Sequence, residues 1–167
     1  MRARLLLVAV LCLALLAPAP ALAEPSSAEP RAAFGWPLAG PPPVTRAFEP
    51  PAGPFGPGHR GVDLAAAPGT SVLAAADGVV AFAGMVAGRP VVSVDHADGL
   101  RTTYEPVDPS VAAGQAVARG SPIGTLLAGH AGCPAAACLH WGVRRGESYL
   151  DPLALLLSVR VRLLPWR

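Results

Sequence analysis

Glycine and proline interrupt this chain so often that long helices and long strands are excluded over most of its length. The sequence has 18 glycines and 20 prolines in 167 residues. Between them lie short runs rich in valine and alanine, separated by turn residues about every eight to twelve positions, a pattern typical of all-β proteins. We therefore predict an all-β fold in which antiparallel sheets of short strands form a sandwich or a barrel-like core.

The turn signals divide the chain from residue 70 onward into seven predicted strands. Asp77-Gly78 and Asp98-Gly99 mark two of the turns, because glycine permits positive φ. Before residue 55 proline is too frequent for a helix or a central strand, so we expect an extended loop that covers a sheet. At the other end, Pro152 suits the first turn of a short helix, while the alternation in residues 158–164 favours a strand. The predicted strands are TSVLAAA, GVVAFAGMVA, PVVSVDH, LRTTYEP, QAVARG, SPIGTLLA and CLHWGVRR.

The first 23 residues have the pattern of a secretory signal peptide. Arginine occurs near the start, a leucine-rich run follows, and small residues end at Ala23. Pro18 and Pro20 break the apolar run too early for a stable membrane span. We expect export to the cell envelope or beyond, with cleavage after Ala23. Residues 24–33 are rich in proline, serine and alanine and are predicted to be a disordered leader.

The rest of the chain is predicted to form one domain, residues 34–167. Cleavage leaves 144 residues, which is enough for one hydrophobic core and not for two. The formal net charge of the full chain is +2, and removal of Arg2 and Arg4 with the signal peptide cancels it. A neutral domain has no electrostatic attraction to nucleic acid or to anionic membranes, so we expect neither partner. We expect a monomer.

The segment GPGHRGVDLAAAPGT contains the first candidate metal ligands, His59 and Asp63. The glycines, prolines and alanines around them give neither side chain a role in a core. Imidazole nitrogen and carboxylate oxygen are suitable zinc donors, but an H-x-x-x-D pattern alone is a weak signal. In CLHWGVRR, strand alternation places Cys138 and His140 on one face. His140 is either the third ligand of a zinc site with an open fourth position or a hydrogen-bonded histidine of the sheet.

The two cysteines that follow the predicted signal peptide, Cys133 and Cys138, also have two interpretations. In an oxidising, exported setting a pair so close in sequence most simply forms a disulfide that closes a small loop. If reduced, Cys138 could instead ligate zinc as a thiolate and turn the site into a structural one.

Other conspicuous side chains are expected to have structural or solvated roles. His96 lies in a hairpin turn and is predicted to be structural or solvated. Trp36 and Trp141 are predicted to pack against the sheet rather than to line a substrate groove. Arg144 and Arg145 are predicted to be solvated at a strand end.

Taken together, these segments resemble the lysostaphin-type, or LytM-like, zinc metallopeptidases, which cut peptide bridges in bacterial peptidoglycan. The resemblance extends from about Phe34 to Leu153. It implies a LytM-type β core, Zn²⁺ as the cofactor with His59, Asp63 and His140 as its ligands, and peptidoglycan peptides as the partner. It rests on the order and spacing of WPL, GHRGVDLAAAPGTSVLAAADGVVAFAG, VVSVDHADGLRTTYEPV, GQAVARGSPIGTLLAG and LHWGVRRGESYLDPL.

The chain departs from this family at two positions that carry catalytic histidines. Pro106 stands at the histidine of the family's Y-x-H-L stretch, and Cys138 at the first histidine of its H-x-H. Neither a proline nor a disulfide-bonded cysteine can transfer a proton. His130, in a glycine-rich turn, is the candidate replacement acid or base. Glu105 is expected to face away from the direction of the family histidine if its strand is regular.

Two functions therefore stay open. The first is a secreted zinc metalloendopeptidase directed at the peptide cross-links or stems of peptidoglycan. The second is a zinc-binding but non-hydrolytic envelope protein that binds peptidoglycan or activates a hydrolase.

Overall fold

The computed structural model describes residues 34–53 and 55–156, and the predicted signal peptide, the predicted leader and the alternating segment 158–164 lie outside them. In the described part, regular structure is almost entirely β-strand, so the prediction of an all-β fold is confirmed. The elements are, in chain order, β1 (Val44–Arg46), β2 (Gly61–Ala66), β3 (Ser71–Leu73), β4 (Gly78–Val86), β5 (Arg89–Asp95), β6 (Leu100–Glu105), β7 (Val107–Pro109), β8 (Ala116–Val117), β9 (Pro122–Leu126), β10 (Ala137–Arg145), β11 (Ser148–Leu150) and a 3₁₀ helix (Pro152–Leu156).

The strands form two antiparallel sheets. The larger has the order β1-β2-β10-β6-β5-β4-β8, and β11 pairs with the end of β10 outside that order. The smaller has the order β3-β9-β7. The nine-residue β10 lies inside the larger sheet, bonded to β2 on one side and to β6 on the other. Short strands that return by tight turns are what the spacing of glycine and proline dictates.

The hydrophobic core draws on both sheets. Trp141 and Tyr104 come from the larger sheet, and Val72, Ile123 and Leu126 come from the smaller one, all of them fully buried. Strand β6 alternates between buried and partly exposed positions, as expected for a strand with one face on a core. The predicted packing role of Trp141 is confirmed.

Two parts of the architecture differ from the sequence prediction. Residues 61–66, considered only as part of a ligand-bearing segment, form strand β2 in the interior of the larger sheet. Val62 and Leu64 of this strand enter the core, and both are fully buried. In the proline-rich segment, Val44–Arg46 forms an edge strand, which is the sheet position that tolerates nearby prolines.

The C-terminal part of the described chain is a short helix. Pro152 starts a 3₁₀ helix, as one of the two alternatives predicted. Within residues 34–53 and 55–156, no helix is long and apolar enough to span a membrane.

A buried polar chain links the β5–β6 part of the larger sheet to the connection between β3 and β4. His96 Nδ1 lies 2.8 Å from the Asp77 carbonyl oxygen, and its Nε2 lies 2.8 Å from the Thr102 hydroxyl. Thr102 in turn bonds the Tyr104 hydroxyl at 2.9 Å, and that hydroxyl accepts the Ala75 backbone N–H at 2.9 Å. Burial raises the pKa of Tyr104 to about 12, so the phenol stays neutral. The predicted structural role of His96 is confirmed.

We expect Tyr104→Phe to destabilise the fold by about 1–3 kcal/mol, because it leaves the buried Ala75 N–H without a partner and removes one of the two bonds of the Thr102 hydroxyl. Urea unfolding of the purified protein measures the change. Tyr149→Phe is the matched control, since Tyr149 is 37% exposed and should change stability by less than about 0.5 kcal/mol. Equal stability of the two variants would show that the Tyr104 hydroxyl does not support the core.

Candidate metal centre

Strand register brings Asp63 and His140 together. The two residues stand directly opposite each other in the β2–β10 pair, and directly opposed residues project from the same face of a sheet. Their neighbours Leu64 and Leu139 are also opposed and point into the core. The other face of the sheet therefore receives the carboxylate and the imidazole.

His59 joins them from the segment before β2. Its backbone N–H and C=O pair with Glu49, at 2.8 and 3.0 Å, in an isolated β-bridge. Gly58 makes this possible, because a Cβ there would lie 2.7 Å from the Glu49 carbonyl oxygen. This pairing holds the segment before β2 beside the residues that follow β1. It also directs the His59 imidazole toward Asp63.

The three predicted ligands converge on one point. Their candidate donor atoms all lie within 4.8 Å of one another. Asp63 Oδ1 is 3.0 Å from His59 Nε2 and 2.9 Å from His140 Nδ1, and the two nitrogens are 3.1 Å apart. The structure brings the three residues together, and their role as zinc ligands stays a prediction.

The hydrogen bonding of His59 fits a cation at this point. Its Nδ1 lies 2.7 Å from the Ala47 carbonyl oxygen, which can only accept, so Nδ1 carries the proton. In the neutral imidazole Nε2 then presents a lone pair to the Asp63 carboxylate, and two acceptors face each other. A divalent ion between them would remove that repulsion, and a carbonyl partner on the second nitrogen is the usual support for a metal-binding histidine.

Gly61 leaves the space that the His140 ring occupies. A Cβ at Gly61 would lie 2.8 Å from His140 Nε2 and closer still to the Trp141 carbonyl oxygen. Glycine at this position of β2 therefore permits the ring to lie over the strand.

His130 reaches the same carboxylate from the loop between β9 and β10. Its Nε2 lies 3.2 Å from Asp63 Oδ1, and its ring stacks on His140 with centroids 5.7 Å apart. The bond to Asp63 raises the pKa of His130. Burial opposes ionisation of Asp63, but the bonds from His130 and His140 hold the pKa of the carboxyl well below its usual range.

A disulfide fixes the loop that carries His130. Cys133 and Cys138 are bonded in the structure, as one of the two alternatives predicted, with Cα atoms 5.6 Å apart. The Cys133 N–H also donates to the His130 carbonyl oxygen at 3.2 Å. Because Cys138 stands two residues before His140 on β10, the bridge ties the His130 loop to the strand that supplies a ligand. Cys138 in this bond offers no thiolate to a metal.

The centre is closed on one side and open on the other. The side chains of His59 and Asp63 are 6% and 4% exposed, whereas those of His140 and His130 are 18% and 15% exposed. A ligand from solvent would therefore approach past the two histidines that are less buried.

Glu105 lies beside this open side, and the expectation that it faces away is wrong. It is opposed to His140 in the β6–β10 register, while Tyr104, opposed to Trp141, points into the core. Arg89 Nε forms an ion pair with Glu105 Oε1 at 2.7 Å. Local sequence patterns do not identify this pair, because Arg89 and Glu105 lie on different strands and meet only in the folded sheet.

The Arg89–Glu105 pair lies in a pocket that shares His130 with the metal centre. This pocket, which we call the side pocket, has a volume of about 130 Å³. Besides Arg89, Glu105 and His130, its walls include Pro106, Leu127 and Gly129.

Arg145 is 61% exposed and lies 3.9 Å from Asp98 at the far end of β10, in agreement with its predicted solvated role.

Comparison with known proteins gives a consistent family assignment. The sequence profile of Peptidase family M23 matches residues 57–152. An uncharacterized protein of Mycobacterium tuberculosis is 52% identical over 162 residues, which cover 95% of this chain and 63% of that protein. The DD-carboxypeptidase/endopeptidase Mpg of Neisseria meningitidis is 34% identical over 100 residues, 59% of this chain and 23% of that one.

Solved structures give the same result for the fold. The catalytic domain of the antimicrobial peptidase lysostaphin from Staphylococcus simulans superposes with a TM-score of 0.60 at 25% identity, covering 70% of this chain and 93% of that domain. The predicted LytM-type β core is confirmed.

We expect Asp63→Asn to weaken zinc binding by at least about 100-fold, because loss of groups that merely support metal ligands already costs about 10–100-fold. Competition with a fluorescent zinc chelator measures the affinity. Asp95→Asn is the control, since Asp95 pairs with Arg101 at the end of β5 and β6 that carries their connecting turn. Equal zinc affinity of the Asp63 variant and the parent protein would contradict the ligand assignment.

Proposed function

This chain belongs to peptidase family M23, and on that basis we propose that it is an exported, zinc-dependent endopeptidase that cuts peptide cross-links or stems of bacterial peptidoglycan. The observation that carries the proposal is the convergence of His59, Asp63 and His140 on one point with an open side. Two imidazoles and a carboxylate with an open fourth position form the donor set of catalytic zinc centres. The relatives named as a peptidase and as an endopeptidase support the same class of reaction.

This chain matches only part of the length of the curated relatives. The chain spans about 63% of the length of the mycobacterial relative. Substrate, zinc dependence, export and action as a monomer are therefore all parts of the proposal.

The residues of the centre have separate tasks in the proposed reaction. His59, Asp63 and His140 would hold the zinc ion, which when bound lowers the pKa of water and polarises a carbonyl group. Ala47 keeps the proton of His59 on Nδ1 and so directs Nε2 to the ion. His130, on the open side, would pass a proton from the attacking water to the leaving amine once its bond to Asp63 is released.

The disulfide supports that task of His130. The position that carries a histidine in lysostaphin-type enzymes is Cys138 in this chain, and its sulfur anchors the loop from which His130 reaches the centre. We infer that the loop histidine replaces the missing proton-transfer group.

Purified protein loaded with zinc should release new amino groups from peptidoglycan. Chelation should stop the release, added zinc should restore it, and His59→Ala should abolish it. We expect His130→Ala to keep its zinc and to lower kcat by about 10²–10⁴-fold, the usual contribution of general acid–base help.

Three results would count against these assignments. No release from any peptidoglycan type with zinc bound would rule out the endopeptidase. If His130→Ala loses both its zinc and its activity, His130 is a zinc ligand. If His130→Ala keeps full activity, His130 has no part in the reaction.

The second candidate function is peptidoglycan binding without hydrolysis, or activation of another hydrolase. It is motivated by Pro106 and the disulfide-bonded Cys138, neither of which can transfer a proton. It requires that sedimentation with insoluble peptidoglycan survive His59→Ala. Binding that disappears with zinc would contradict it.

Export should be accompanied by cleavage after Ala23, because small residues precede that point and the apolar run ends before it. The intact mass of the protein recovered outside the cytoplasm should match a chain that begins at Glu24. Replacement of Ala21 and Ala23 by arginine should block processing. A recovered protein that still carries residues 1–23 would overturn the signal-peptide assignment.

A further inference from the structure

The His130 loop, residues 128–136, has one covalent bond and one polar side-chain contact to the rest of the described chain. The covalent bond joins Cys133 to Cys138, the second residue of β10. The polar contact joins His130 Nε2 to Asp63 Oδ1 at 3.2 Å. The backbone hydrogen bond from the Cys133 N–H to the His130 carbonyl oxygen lies within the loop itself. The path of the loop therefore depends on the disulfide.

Glycines on both sides of His130 allow the loop to take other paths. Gly129 and Gly132 have φ values of 99° and 78°, in the region that residues with a Cβ disfavour. Glycine also has more conformational freedom than any other residue. Once the disulfide is open, the backbone around His130 would not by itself keep the imidazole at Asp63.

The two sulfurs of the bridge differ in their access to solvent. Cys138 is fully buried, whereas Cys133 is half-buried and lies between the exposed residues Gly132 and Pro134. Thiol–disulfide exchange begins with attack of a thiolate on one sulfur, and access helps to decide which sulfur is attacked. A reductant would therefore attack Cys133 and displace Cys138.

Opening the bridge is expected to be a local change. The two cysteines are five positions apart, and a disulfide stabilises a fold less when it closes a shorter loop. Neither cysteine belongs to the hydrophobic core cluster. We therefore expect both sheets to remain folded when the bond is reduced.

The candidate zinc ligands have supports that the bridge does not provide. Asp63 and His140 are opposed in the β2–β10 register, and His59 is held by backbone hydrogen bonds to Glu49. Reduction would therefore separate His130 from the centre and leave the three candidate ligands converged.

We propose that the Cys133–Cys138 bond is a redox-controlled tether, which a dithiol opens to withdraw His130 from the centre while the candidate zinc ligands stay in place. The proposal rests on the proposed function for the part that His130 takes in proton transfer. The oxidised protein would then be the active form and the reduced protein the inactive one.

The exchange with a dithiol balances in two steps. One thiolate of the dithiol bonds to the Cys133 sulfur, and the electron pair of the S–S bond leaves with Cys138. The second thiolate of the dithiol then closes the reductant's own disulfide and releases Cys133. The dithiol is oxidised, the bridge is reduced, and the two thiol protons of the dithiol end on Cys133 and Cys138.

Nuclear magnetic resonance of the histidine rings tests the tether independently of activity. Zinc-loaded protein is reduced with dithiothreitol, freed of the reagent without exposure to air, and compared with oxidised protein of equal zinc content. We expect the His130 ring signals to move toward those of an exposed histidine, and those of His59 to keep their positions. Zinc affinity should stay unchanged, and reoxidation should restore the original spectrum.

The activity of the same samples tests the consequence for the proposed reaction. Reduction should lower kcat by about 10²–10⁴-fold, to the level of His130→Ala, because general acid–base help is lost in both. Reduction of His130→Ala itself should lower kcat no further. The double variant Cys133→Ser, Cys138→Ser controls for direct effects of the reagent, since it should match the reduced protein and not respond to dithiothreitol.

The outcomes separate this proposal from the proposed function. Unchanged His130 ring signals after reduction, or loss of the β-sheet circular dichroism signal, would overturn the tether. A thiolate-to-cobalt charge-transfer band in reduced, cobalt-loaded protein would also overturn it, because Cys138 would then be a metal ligand. Release of His130 in a protein that cleaves no peptidoglycan would support the tether and count against the endopeptidase.

Discussion

The register between β2 and β10 is the constraint on which the candidate site depends. In that register Asp63 stands opposite His140, and Leu64 opposite Leu139. A slip by one residue would turn the carboxylate toward the core and a leucine toward the site, because side chains alternate between the two faces of a strand. Burial of Val62, Leu64 and Trp141 on the core face therefore fixes the position of the candidate metal ligands Asp63 and His140 on the other face.

The fold could be predicted from local patterns, but the strand that carries Asp63 could not be assigned from them. Turn glycines and short valine-rich runs correctly indicate an all-β chain. The segment around residues 61–66 lacks a polar–apolar alternation, because its outward face is covered by His59 and its inward face by the core. By contrast, the alternation within CLHWGVRR correctly predicts which residues share a face. One face of β10 enters the core, and the other carries Cys138 and His140.

The positions of site residues that come from loops and from neighbouring strands could not be predicted from the sequence. His130 could be nominated as a nearby histidine, but its contact with Asp63 depends on a loop path that the Cys133–Cys138 bond fixes. Strand alternation that directs residue 106 toward the site predicts that Glu105 faces away, and this prediction is wrong. The pairing of β6 with β10 decides this question, and it places Glu105 beside His140.

The distribution of charge explains how one buried carboxylate can serve as the hub of the centre. A lone Asp63 at 4% exposure would be strongly disfavoured in its ionised form. Three imidazoles approach one of its oxygens within 3.2 Å, and the pKa of the carboxyl is accordingly held low. In the same cluster the unprotonated Nε2 of neutral His59 faces that carboxylate, and a divalent cation between them would relieve the repulsion. The low pKa of the carboxyl and the candidate metal site thus both follow from packing several imidazoles around a single buried oxygen.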